Sequence, residues 1–179
     1  MQSTNSNKGI KAFSTLYMVG VIFAITKLIN DLKWTYQLTK NWEIPEQPFF
    51  TKIILVNSDV NASVTMYLIF AVAYILLFGF ILLGLYQLND SAKLFAEKKI
   101  FQKEIGSSFR NAGNSFLTFT FGTLLIDIAF LAWTHTSSKV MDLLSTELMV
   151  FLILGYVMYF LSDIFKEGIT LKEENDLTI

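Results

Sequence analysis

Cysteine is absent from the 179 residues, proline occurs twice and histidine once. Without thiols there are no disulfides, no thiolate nucleophile and no zinc held by cysteine. The single histidine, His135, stands beside Trp133 with no HExxH spacing and no second ligand, so no metal site is indicated. Charge is scarce too: 16% of residues are charged, against about a quarter in ordinary soluble domains. A formal net charge of −1 leaves no basic field, which argues against direct nucleic-acid binding. GxSxG, a phosphate-cradling glycine loop and paired carboxylates on a polar face are all missing. No catalytic residue, cofactor or metal is assigned, and the chain is not expected to be an enzyme.

What the chain has instead is apolar length. Of its residues 53% are hydrophobic, 17 of them Phe, and thirty consecutive positions between Asp59 and Asp90 carry no charge. Within that stretch Met66–Leu88 is almost wholly apolar. At ~1.5 Å rise per residue it reaches ~34 Å, more than the ~30 Å of a bilayer's hydrocarbon core. A helix that is apolar on every face belongs in lipid. Backbone amides in lipid need internal partners, which makes helices the spanning form.

Four spans are expected, at about 10–29, 66–88, 112–134 and 143–165. The fold class is therefore all-α integral membrane, a four-helix bundle in one membrane domain. The first and fourth spans reach full length only by admitting Lys27 and Asp163 near their ends. The amino-terminal stretch has lysines ahead of an apolar run, but Lys27, Asn30 and Asp31 stand where a small-residue cleavage site would follow, so a retained helix is expected.

Orientation is read from lysine and arginine. With both termini cytoplasmic, the inner segments hold nine (Lys8, Lys11, Lys93, Lys98, Lys99, Lys103, Arg110, Lys166, Lys172) and the outer loops four (Lys33, Lys40, Lys52, Lys139). The positive-inside rule favours that arrangement, in a cell (inner) membrane. Trp34 and Trp133 then fall at the outer boundary, Tyr86 and Tyr159 nearer the inner one.

The extracytoplasmic loop, 30–65, carries Phe49–Asn57 (FFTKIILVN) after Pro45 and Pro48, which predicts a short β-hairpin or strand. In the cytoplasmic loop, 89–111, Leu94, Phe101, Ile105 and Phe109 recur at helical spacing among basic residues, so an interfacial helix is expected. Gly106 and Gly113 are read as loosening or breaking it. Lys98, Lys99, Phe101, Lys103 and Arg110 are candidate contacts for anionic lipid or a cytoplasmic partner. From Asp163 onward five carboxylates face two lysines, so the acidic tail, 166–179, should lie near the basic loop. Gly79, Gly84, Gly122 and Gly155 are expected at close helix contacts, and a homo-oligomer is compatible with such surfaces.

Ionisable residues inside spans cost ~2.5–3.5 kcal/mol each, so each calls for a partner. Asp127 and Lys27 fall at similar depth in the third and first helices. A Lys27–Asp127 ion pair fixing the register is therefore the candidate intramembrane contact. Proton or cation transport through Asp127 is the weaker reading, since no second acidic residue is placed at comparable depth.

With KKIFQKEIGSSFRNAG after the second span and FKEGITLKEENDLTI at the end, the chain resembles the bacterial membrane family called domain of unknown function 2975. Phe101 and Gly113 match its Phe-centred loop and the glycine before the third helix, and Phe165, Gly168 and Asp176–Ile179 its ending. Lys99-Ile100 replaces the usual small turn, and Gln102 the usual capping Ser or Thr. The resemblance implies no biochemical activity. Its members often lie beside small helix-turn-helix regulators, which implies a sensor or accessory partner of a cytoplasmic regulator. A small-molecule or ion permease component is the alternative.

Overall fold

The computed structural model describes residues 3–42, 64–97, 102–134 and 146–177. They form four helices: α1 (Ser3–Asn41), α2 (Val64–Ala96), α3 (Lys103–Thr134) and α4 (Thr146–Leu177). No strand occurs among the described residues, and the hairpin expected at Phe49–Asn57 lies outside them.

Every helix outruns its hydrophobic span. α1 has 39 residues and continues to Asn41, so the first twelve positions assigned to the extracytoplasmic loop are helical. The reason is local. From Ile29 to Asn41 there is no proline or glycine, and Asp31 and Lys33 mark the edge of apolarity without breaking the helix. The helix closes when the Trp42 amide donates to the Leu38 carbonyl at 3.1 Å, with Trp42 at φ 54°, a left-handed C-terminal cap. Lys40 in the last turn complements the helix dipole, as Glu104 does in the first turn of α3.

The interfacial helix expected in the cytoplasmic loop is replaced by longer spans. Leu94 belongs to α2, whereas Ile105 and Phe109 belong to α3. Ile105 and Phe109 are buried with Ala112, Phe116 and Met158, and Leu94, Phe95 and Phe165 pack on them. Their spacing identified an apolar helical face correctly, but neighbouring helices cover it. Gly106 and Gly113 break nothing; both sit inside continuous α3.

α1 packs along α2, α2 along α3 and α3 along α4. Each pair is antiparallel. Gly20 approaches Leu85 while Lys27 meets Tyr74, and Gly84 faces Phe116 while Leu77 faces Gly122. On the last pair Gly113 faces Gly155, and the Ser162 hydroxyl donates to the Gly106 carbonyl at 2.7 Å. One end of the molecule therefore carries the end of α1 and the start of α2 (the loop end). The other carries the start of α1 and the end of α4 (the tail end).

Buried positions recur every seven residues, as in left-handed helix packing: Ala24, Asp31 and Leu38 on α1, and Leu148, Gly155, Ser162 and Ile169 on α4. The α3–α4 crossing is close because both partners lack side chains there. A Cβ on Gly113 would stand 2.9 Å from the Gly155 carbonyl oxygen, and one on Gly155 2.6 Å from Leu117. Gly84 and Gly122 are likewise overlain by Phe116 and Leu77, whereas Gly79 has nothing within 4 Å.

Large apolar side chains point outward: Ile69, Leu76 and Leu83 on α2, Leu125 and Ile128 on α3, Val150, Ile153 and Phe160 on α4. Small hydroxyls (Ser91, Ser115, Thr120, Thr123, Ser162) are buried. That distribution suits lipid, where association depends on small residues and interhelical bonds. Val64–Phe95, Lys103–Phe130 and Thr146–Leu177 are long and apolar enough to cross a membrane.

Candidate functional site

At the loop-end half of the molecule one ammonium joins three helices. Lys27 Nζ on α1 donates to Glu147 Oε1 on α4 at 2.5 Å and to the Tyr74 hydroxyl on α2 at 3.2 Å. It also lies 5.3 Å from the Phe78 ring centroid and 5.7 Å from that of Tyr74. The Lys27 and Glu147 side chains are 26% and 28% exposed, so the pair is largely withdrawn from its surroundings.

Chain geometry explains the meeting. Lys27 lies one turn from buried Ala24 and next to Leu28, which faces the same apolar cluster as Tyr74, Phe78, Phe119, Leu148 and Phe151. Glu147 sits in the first turn of α4, where a carboxylate is favoured by the helix dipole. Beneath the ion pair Phe119 is 0% exposed, with its ring against Tyr74, Phe78 and Phe151 at centroid distances of 6.1, 6.3 and 5.1 Å. This aromatic floor gives the ammonium two ring faces, each worth ~0.5–2 kcal/mol.

Two further carboxylates belong to the neighbourhood. Asp31, 3% exposed, lies one turn beyond Lys27 on the buried stripe of α1. Asp31, Asp127 and Glu147 all act electrostatically on Tyr74. The Asp127 side chain is half-buried on α3, one turn beyond Thr123, whose buried hydroxyl has no hydrogen-bond partner among the described residues. Each helix thus contributes an ionisable or hydroxyl-bearing residue: Lys27 and Asp31, Tyr74, Asp127, Glu147.

Sequence reasoning named Lys27 and Asp127 as the pair. The structure supplies Glu147 as the direct carboxylate partner and places Asp127 within electrostatic range of Tyr74. Glu147 lies inside the expected fourth span, 143–165, just ahead of the uncharged run that Leu148 opens. Asp31 falls beyond the assumed end of the first. Steps of seven from Ala24 through Asp31 to Leu38 are the signal that would have placed Asp31 inside.

At the tail end, Lys103 pairs with Glu173 at 3.7 Å, which brings loop and tail together as their charges led one to expect. Arg110 is exposed on α3. Lys98, Lys99 and Phe101 lie outside the described residues. Nearby, the Tyr159 hydroxyl donates to Asn114 Oδ1, and Ser115 Oγ to Gln87 Oε1 at 3.4 Å. Such bonds hold α4 to α3 and α3 to α2; they gather no nucleophile beside a base. Among the described residues no group of three His, Asp or Glu side chains is arranged to hold a metal ion.

No curated protein and no solved structure matches the chain. The family described as protein of unknown function, DUF2975, matches residues 10–179. Apolar helices of spanning length, the tail folded beside the basic start of α3, and this match over nearly the whole chain agree, and the protein belongs to the DUF2975 family.

Proposed function

We propose that this chain is a non-catalytic, four-span protein of a bacterial inner membrane that serves a cytoplasmic regulator as sensor or accessory partner. Both termini lie on the cytoplasmic side in this reading. All four helices, α1 included, carry outward apolar side chains, on α1 Met18, Val19, Ile22, Phe23 and Ile29. The nine-to-four distribution of Lys and Arg supports a cytoplasmic tail end.

The observation that carries the partner role is the reach of α4. It continues helically to Leu177, and residues 170–177 are all exposed, with Leu171 and Leu177 outward beside Glu173, Glu174 and Asp176. An exposed helical surface with two leucines and three carboxylates suits a basic, amphipathic protein surface. Lys98, Lys99, Phe101, Lys103 and Arg110 would meet anionic headgroups, or flank that partner, with ~1 kcal/mol per basic residue near the surface. The test is capture from cytoplasm by the detergent-solubilised full chain, against a form ending at residue 169. Loss of a specific partner on truncation supports the reading; identical capture overturns it. Reporters fused to the two ends must both stay cytoplasmic.

The convergence of Lys27, Asp31, Tyr74, Asp127 and Glu147 favours a permease component as second reading. Sodium, potassium or proton flux in proteoliposomes, abolished by Lys27→Met, would establish it. Equal leak in both proteins and in empty vesicles would dismiss it.

A further inference from the structure

In the loop-end half, Ala24 and Leu28 join an apolar cluster with residues of α2, α3 and α4. Among the described residues, the tail-end cluster around Ile105, Phe109 and Met158 draws on α2, α3 and α4. Lys11, Ser14, Thr15, Met18 and Val19 of α1 are exposed at that end. The backbones of α1 and α4 make no extended contact. Lys27–Glu147 is thus a cross-tie between the first and last helices, placed ~24 Å along α1 from Lys11.

The ammonium also has somewhere to go. Released from Glu147, Lys27 keeps the Tyr74 hydroxyl and the Tyr74 and Phe78 ring faces, all on α2. Opening the pair therefore leaves the ammonium with polar and aromatic contacts on α2. We propose that the Lys27–Glu147 ion pair is a latch that sets the position of α1 against α4. When it opens, α1 moves relative to the exposed end of α4 at the opposite side of the molecule. This deepens the sensor reading, on which it rests for its use: an event at the loop end would be transmitted to the surface that meets the partner.

The cysteine-free chain permits site-specific labelling. Thr15→Cys and Thr170→Cys, both at exposed positions, carry spin labels in the full-length protein in lipid nanodiscs, and pulsed dipolar spectroscopy reads their separation. Glu147→Gln and Lys27→Met should each broaden the distribution and move it by on the order of 2 Å or more. The swapped pair, Lys27→Glu with Glu147→Lys, should return it to the parent position. Unchanged distributions in both single variants would overturn the latch, as would a swap that folds and fails to restore. Helical content by circular dichroism identifies any unfolded variant, and Glu147→Gln, nearly isosteric, then carries the test. A moving latch with no captured partner keeps the proposal and refutes the sensor reading; a partner captured equally by latched and unlatched protein does the reverse.

Discussion

Replacing Gly113 by alanine tests the closeness of the α3–α4 crossing against an internal control. The new Cβ would stand 2.9 Å from the Gly155 carbonyl oxygen and 3.3 Å from Met158 Cβ. The first is backbone of a helix continuous on both sides, so it moves only if α4 shifts. Overpacking of this kind costs ~1–3 kcal/mol, while alanine regains ~0.8–1.0 kcal/mol of helix propensity. The net expectation is a loss of up to ~2 kcal/mol, with the retreat of α4 weakening the Ser162–Gly106 bond as well. Gly79→Ala meets nothing within 4 Å and should gain up to the full propensity term. The two variants should therefore differ by ~1–3 kcal/mol, or roughly 2–12 °C in Tm at about 2–4 °C per kcal/mol for a chain of this size. Thermal unfolding of both in one detergent, followed by circular dichroism, makes the comparison. Equal stabilisation by the two alanines would refute the close-crossing geometry.

The remaining predictions concern the ion pair and the core. Glu147→Gln and Lys27→Met should each cost ~1–3 kcal/mol, between the values for buried and surface pairs, and a double-mutant cycle should show coupling above ~0.5 kcal/mol; additive losses would contradict direct contact. Ser162→Ala removes a buried donor from the Gly106 carbonyl and should lower stability by ~1 kcal/mol in denaturant titration. Phe119→Ala empties the floor beneath Lys27 and should cost ~3–5 kcal/mol, the largest single effect of the four; a loss below that of Ser162→Ala would contradict its central place.

Hydropathy made α2, α3 and α4 visible, because thirty uncharged residues admit few alternatives. It located membrane edges, and helix ends lie elsewhere. Asp31, Asp90 and Asp163 mark where apolarity stops, yet each sits inside a helix that runs on. Leu94, Ile105 and Phe109 showed their periodicity plainly, but periodicity reports a sticky face and not what covers it. The glycines divided on the same ground: Gly84, Gly122 and Gly155 lie at contacts and Gly79 does not, a difference that depends on which neighbour faces them. In the site, Lys27 stood out as a charge in an apolar run. Glu147 did not, because it stands just ahead of the uncharged run, and which helix end reaches a lysine is a property of register between elements far apart in sequence.

Helices that each pack on their chain neighbour can associate in the order in which a ribosome delivers them. α1 meets α2, then α2 meets α3, then α3 meets α4, each pairing joining helices consecutive in the chain. The Lys27–Glu147 bond is the exception, joining residues 120 positions apart. It forms only once the last helix has been made, and until then the lysine's ammonium has the Tyr74 hydroxyl and α2's aromatic rings. The contact that ties the first helix to the last is thus the last to form, since a chain lacking residues from 146 onward offers Lys27 the Tyr74 hydroxyl and the α2 rings without Glu147.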